Sequence, residues 1–107
     1  MSSSGGLTLT LASNAVAYNL LALIQAVAGY ANQHPTVREL TLTGDAGNGG
    51  ASIYKGGSDV SSTNYGEALL ATRSITYRST LNDISLGDIW LVGSADGVKV
   101  NVGWMIY

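Results

Sequence analysis

Three stretches of this chain alternate apolar and polar residues with a period of two. That period limits the available folds more than any other feature of the sequence. "LTLTL" (residues 7–11) sets Leu7, Leu9 and Leu11 on one face and Thr8 and Thr10 on the other. "VRELTLT" (37–43) alternates Val37, Glu39, Thr41 and Thr43 with Arg38, Leu40 and Leu42. "VKVNVGWMIY" (98–107) sets Val98, Val100, Val102 and Trp104 opposite Lys99, Asn101, Gly103 and Met105. Each is the signature of a half-buried strand. "ASIYK", "RSITYRS" and "DIWLVG" add shorter β-like runs, and "SADG" (94–97) between the last two predicted strands is a hairpin signal. Short strands with frequent turns predict a mainly β domain, a small antiparallel sandwich or barrel.

One segment breaks the pattern. "AVAYNLLALIQAVAGYANQ" (15–33) is rich in Ala and Leu and carries no charge. With Ser13 or Asn14 as N-cap and Pro35 as a stop, it predicts one apolar helix of roughly 16 to 18 residues inserted after the first strand. Leu20, Ile24, Val27 and Ala31 form one stripe, and Val16, Leu21 and Leu23 widen it. A surface helix normally keeps a charged face, so this one is expected under a sheet, or between a sheet and a neighbouring subunit. Asn19, Gln25 and Gly29 interrupt a run too short to span a bilayer, and no Lys or Arg flanks it.

Composition extends the argument about surfaces. Only 11% of the 107 residues are charged, against about 25% in an average soluble domain. So sparse a charge suggests a surface partly covered by neighbours. The net charge of −2 offers no attraction to nucleic acid or anionic membrane. No cysteine is present. "MSSSGG" (1–6) reads as a flexible N-terminal arm, leaving residues 7–107 as a single domain.

Chemistry is hard to find. His34 is the single histidine, and no G-x-S-x-G elbow accompanies it. Asp45, Asp59, Asp83 and Asp88 do not match a calcium-loop spacing. "GDAGNGG" (44–50) lies between strands and lacks the GK[ST] of a phosphate loop. No catalytic residue, metal or cofactor is assigned, and an enzyme is not expected. "KGGSDVSSTNYG" (55–66) looks like a binding loop, but Asp59, Ser61, Ser62, Thr63 and Asn64 are residues that bond their own backbone in turns.

From Arg38 to Trp104 the order of elements resembles small virion structural proteins of tailed bacteriophages. The matching residues are Ile53, Tyr54, Gly56, Val60, Ser61, Ser62, Gly66, Leu69, Ser74, Ile75, Asp88, Ile89, Trp90, Gly93, Ser94, Gly97 and Val100. This chain reads "LLATRSIT" where that pattern carries a Pro–Gly–Glu turn. The resemblance implies a non-enzymatic β-sandwich of the virion: a capsid decoration (cement) protein on the major capsid protein lattice, a head fibre or a tail component. A homo-oligomer is expected, a trimer above all. Leu20, Leu21, Ile24, Val27, Trp104, Ile106 and Tyr107 are the candidate interface. The rival expectation is a small carbohydrate-binding sandwich with Trp90, Trp104 or Tyr54 as a stacking platform.

Overall fold

The computed structural model describes residues 3–80 and 84–106; Leu81, Asp83 and the candidate interface residue Tyr107 lie outside them. The chain is mainly β. Strands β1 (Ser3–Leu11), β4 (Glu39–Gly44), β7 (Ser74–Arg78) and β10 (Val98–Ile106) form one sheet in the order β1-β10-β4-β7. Strands β2 (Tyr18–Asn19), β5 (Ile53–Gly56), β6 (Glu67–Leu69) and β9 (Trp90–Gly93) form a second, in the order β2-β9-β5-β6. A two-stranded ribbon joins β3 (Thr36–Val37) to β8 (Ile84–Ser85). All these pairings are antiparallel. The barrel is not closed. One core takes Leu9 and Leu11 from β1, Leu40 and Leu42 from β4, Val98, Val100, Val102 and Trp104 from β10, and Ile53, Leu69 and Leu91 from the second sheet.

The predicted helix shrinks to α1 (Leu20–Gln25). Tyr18 and Asn19 instead pair with Leu91 and Trp90 of β9, so the chain is extended where Ala and Leu favoured a helix. Asn19, and neither Ser13 nor Asn14, is the cap: its side chain accepts from the Ala22 N–H at 3.1 Å and donates to the Gly87 carbonyl at 2.7 Å. Beyond Ala26 the chain descends through successive tight turns, Val27 to Ile24, Tyr30 to Val27 and Gln33 to Tyr30. Leu20 and Ile24 are fully buried, and Leu21, Leu23 and Val27 lie half-buried against the core. Val16, 48% exposed, and Ala31, also exposed, are not covered within the chain.

Three more expectations change. Residues 37–43 are not one strand: the chain breaks at Arg38, so Val37 and Leu40, three apart, both point inward. The segment 94–97 turns as the Asp-Gly signal predicts, with Gly97 at φ +78°, but it joins no hairpin. β9 pairs with β2 and β5, whereas β10 pairs with β1 and β4, so the chain crosses between sheets there. Third, Ser3 to Gly6, expected in a flexible arm, pair with β10 opposite Ile106 to Gly103.

Gly5 faces Trp104 in that register. A methyl group on Gly5 would collide with the Trp104 indole, whose other side meets Tyr30 edge-on at 5.8 Å between centroids. Gly5→Ala therefore forces the indole out of its site and costs about 1–3 kcal/mol. Gly6→Ala, with no atom nearer than the Val102 carbonyl at 3.5 Å, is neutral or gains about 0.5–1 kcal/mol by stiffening a strand. Urea unfolding of both variants, followed by tryptophan fluorescence, checks the contrast.

Candidate docking surface

The outer face of the β1-β10-β4-β7 sheet follows from the strand period. Side chains facing away from the core fall into rows across the four strands. One row is Thr8, Asn101, Thr43 and Ser74; the next is Gly6, Gly103, Thr41 and Thr76. Their polar groups bond one another. Thr8 donates to Asn101 Oδ1 at 2.6 Å, and the hydroxyls of Thr43 and Ser74 lie 2.7 Å apart and those of Thr41 and Thr76 3.2 Å apart. Asn101 donates to Asp45 Oδ1 at 3.1 Å. Asp45 also receives the Gly47 N–H, and that bond, then Asn101, then nearby Lys99, hold its carboxyl below the usual range. Glu39 and Arg78 close the margin of the face with a 3.7 Å ion pair.

Gly6 and Gly103 lie directly opposite each other inside paired strands. Strand-interior glycine costs stability relative to Ala, and it often marks a place where another group approaches closely. Neither has a positive φ, and a methyl on either would meet nothing closer than 3.5 Å. The fold does not require them bare. Their effect is a furrow of about 450 Å³, floored by the two glycines and walled by Thr8, Thr41, Thr43 and Asn101.

The edges of the two sheets differ sharply. β2 has two residues and β6 three. β7 has five and ends on Arg78. β1 runs for nine residues, "SSGGLTLTL", with no charge and no proline. Natural sheets usually blunt an edge of that length. The direction of its backbone groups can be worked out from β10. Lys99 bonds Asn48 through both its N–H (2.8 Å) and its C=O (2.7 Å), and the Met105 carbonyl accepts from Arg38 at 2.8 Å. Odd-numbered residues of β10 thus face β4, and even-numbered ones face β1. By the register, Leu7 and Leu9 bond β10, while Gly6, Thr8 and Thr10, opposite Gly103, Asn101 and Lys99, aim their N–H and C=O away from it. Among the described residues, nothing bonds them there.

The remaining polar cluster ties the two sheets together. Tyr77 of β7 donates its phenol proton to Glu67 of β6. Lys55 of β5 lies 3.5 Å from the same carboxylate and 4.6 Å from the centre of the Tyr77 ring. Burial, then the bond to Glu67 and its charge, push the Tyr77 pKa well above its ordinary value. A phenol so held keeps its proton above the pH, near 10, at which an ordinary tyrosine would lose it, and the bond serves as a strut across the open side of the two sheets.

Of the predicted interface residues, Leu20, Ile24 and Trp104 are buried within the chain, and Leu21, Val27 and Ile106 are half-buried. Trp104 has no exposed face for a stacking platform, and Trp90 is half-buried. The Tyr54 ring packs against that of Tyr65, 4.7 Å between centroids and tilted by 39°; Tyr65 is an exposed residue that the sequence did not single out. The loop at 57–66 caps itself: the Ser61 N–H bonds Asn64 O at 2.9 Å, Asn64 returns the bond at 3.2 Å, and Val60 is buried beside Gly56. The His34 ring bonds Thr36, its Nδ1 2.8 Å from the Thr36 carbonyl. No group of three or more His, Asp or Glu side chains suited to a metal occurs among the described residues. The paired glycines and the neutral edge went unnoticed in the sequence because both depend on which strand lies beside β1.

The Tyr77 strut has a pH signature. A tyrosine whose folded pKa is raised loses nothing below its unfolded value, near 10, and loses stability as pH rises above it. Urea midpoints at pH 8 and pH 11 should show a smaller alkaline drop in Tyr77→Phe than in the parent. At pH 8 that variant costs about 1 kcal/mol for the lost hydrogen bond. Equal drops in both would place the alkaline sensitivity elsewhere. Set against protein-family models, curated proteins and solved structures, the chain matches none.

Proposed function

We propose that this chain is a non-enzymatic structural protein of a tailed-bacteriophage virion, foremost a capsid decoration protein that binds the major capsid protein lattice as a homo-oligomer. The observation that carries the reading is the hydroxyl-lined centre of the outer face of the β1-β10-β4-β7 sheet together with its uncharged β1 edge, the charges Asp45, Lys99, Glu39 and Arg78 standing at the margins. Covering a charged surface removes ions from water at a cost that pairing often fails to repay. Covering this one removes hydroxyls and an amide that already bond one another. Such a surface is suited to permanent contact. The resemblance of residues 38–104 to phage virion proteins supplies the setting, and the low overall charge, 11% of residues, agrees with it.

In particles of the phage that encodes the chain, quantitative mass spectrometry should find it at a fixed ratio to the major capsid protein. Thr41→Lys, which places a charge on the furrow wall without touching the core, should cost no more than about 1 kcal/mol for the lost bond to Thr76 and cut retention on the particle at least tenfold, whereas Thr41→Val, which loses the same bond without adding charge, should be retained. Purified particles without the chain would overturn the proposal. A second reading, a carbohydrate-binding module, rests on the Tyr54 and Tyr65 pair, of which Tyr65 is 46% exposed. Aromatic faces of this kind stack on sugar rings. Quenching of tyrosine fluorescence by soluble glycans, abolished in Tyr65→Ala, would favour it.

A further inference from the structure

We infer that two copies of this chain join through their β1 edges, antiparallel about a two-fold axis at Leu7, to make one continuous eight-stranded sheet. The inference deepens the assembly reading above and names the homo-oligomer contact. Gly6, Thr8 and Thr10 direct unbonded backbone donors and acceptors off the edge, which is the template that strand addition uses. The other edges are unsuited: β2 and β6 are two and three residues long, and β7 ends on Arg78.

The choice of a second copy over a foreign strand rests on charge. On two identical edges a charge at or next to the axis lies directly opposite its own copy or on the diagonal from it, which is destabilising. β1 has none, so it meets its own image without repulsion, and nothing on it selects a charged partner. The register follows from its length. Leu7 is the middle of the nine-residue strand, and an axis there pairs every outward-facing position, Gly6 with Thr8 of the second copy and Ser4 with its Thr10. The same axis sets the two Leu7 side chains against each other as a close, non-hydrogen-bonded pair. Leu7 is only half-buried in the single chain, and this contact would complete its burial. The two hydroxyl faces then run on as one surface, with a glycine furrow on each side of the axis.

The test uses the full chain. Light scattering coupled to size exclusion should give twice the 11.0 kDa chain mass. Thr8→Pro removes an outward N–H while leaving the backbone ladder to β10 intact, a place where an edge strand tolerates proline. It should halve the mass with the circular dichroism spectrum unchanged. Thr8→Val, which loses the same hydroxyl bond to Asn101 but keeps the N–H, is its control and should stay dimeric. If Thr8→Pro unfolds the chain, Leu7→Lys, at a half-buried position that faces its own image on the axis, sets like charges against each other and replaces it as the folded monomeric variant. Because the natural sequence has no cysteine, Leu7→Cys offers a single thiol. Mild oxidation should link it across the axis, and Ser58→Cys, exposed in a distant loop, should not link. A monomer or a trimer at 100 μM by about the same measurement, or Leu7→Cys that fails to link while dimeric, overturns the inference. These readouts are independent of virions: a dimer absent from particles refutes the phage reading alone, and a monomer found on particles refutes this inference alone.

Discussion

The outer face of the β1-β10-β4-β7 sheet depends on one row of side chains, Val98, Val100, Val102 and Trp104, being inside. Those four residues commit β10 to a single register, because a slip by one residue would turn the row out to solvent. The commitment reaches further than the core. With the even-numbered side chains inward, Lys99, Asn101 and Gly103 are outward, so the furrow lies on the outer face. The same parity sends the even-numbered backbone groups to β1 and the odd-numbered ones to β4. That in turn leaves Gly6, Thr8 and Thr10 with bare outer edges. A hydrophobic constraint on one strand thus decides which polar groups of its neighbour are available for contact.

Much of this was legible in residue order. The period-two stretches became β1, β4 and β10, and the inward rows of β1 and β10 were read correctly. What failed did so for definite reasons. Ala and Leu propensity is worth tenths of a kcal/mol per residue, and it lost to the pairing of Tyr18 and Asn19 with β9. The Asp-Gly turn is real, but a turn signal reports direction and says nothing of which sheet receives the next strand. Here Gly93 is buried, with the Ala95 carbonyl 2.9 Å from where a Cβ would stand, and the chain bends out of one sheet into the other. The glycine furrow of the outer face is the hardest feature to foresee. Gly6 and Gly103 are ordinary in isolation and become a furrow only when strands far apart in the chain are laid side by side.

The two sheets also divide labour. The β2-β9-β5-β6 sheet has short strands and leans on loops: its outer side carries Val60, and its open side is held by Lys55, Glu67 and Tyr77. The first sheet has its two longest strands at one side and keeps its outer face free of loops over the furrow. Stabilising cross-links are placed where the architecture is open, and the long neutral strand is left plain.

The pairing of β1 with β10 has a consequence for how the chain reaches this state. Thr8 and Asn101, bonded side chain to side chain, are 93 residues apart in sequence. Contacts so distant close late and slow the search for the native topology. At a ribosomal pace of roughly 5–20 residues per second, β1 spends several seconds outside the tunnel before its partner is made. During that interval both of its edges are exposed, in a stretch with no charge to discourage neighbours. The first strand of the sheet thus waits for the last, and until β10 arrives the hydroxyls of Thr8 and Thr10 are what this uncharged strand offers to water.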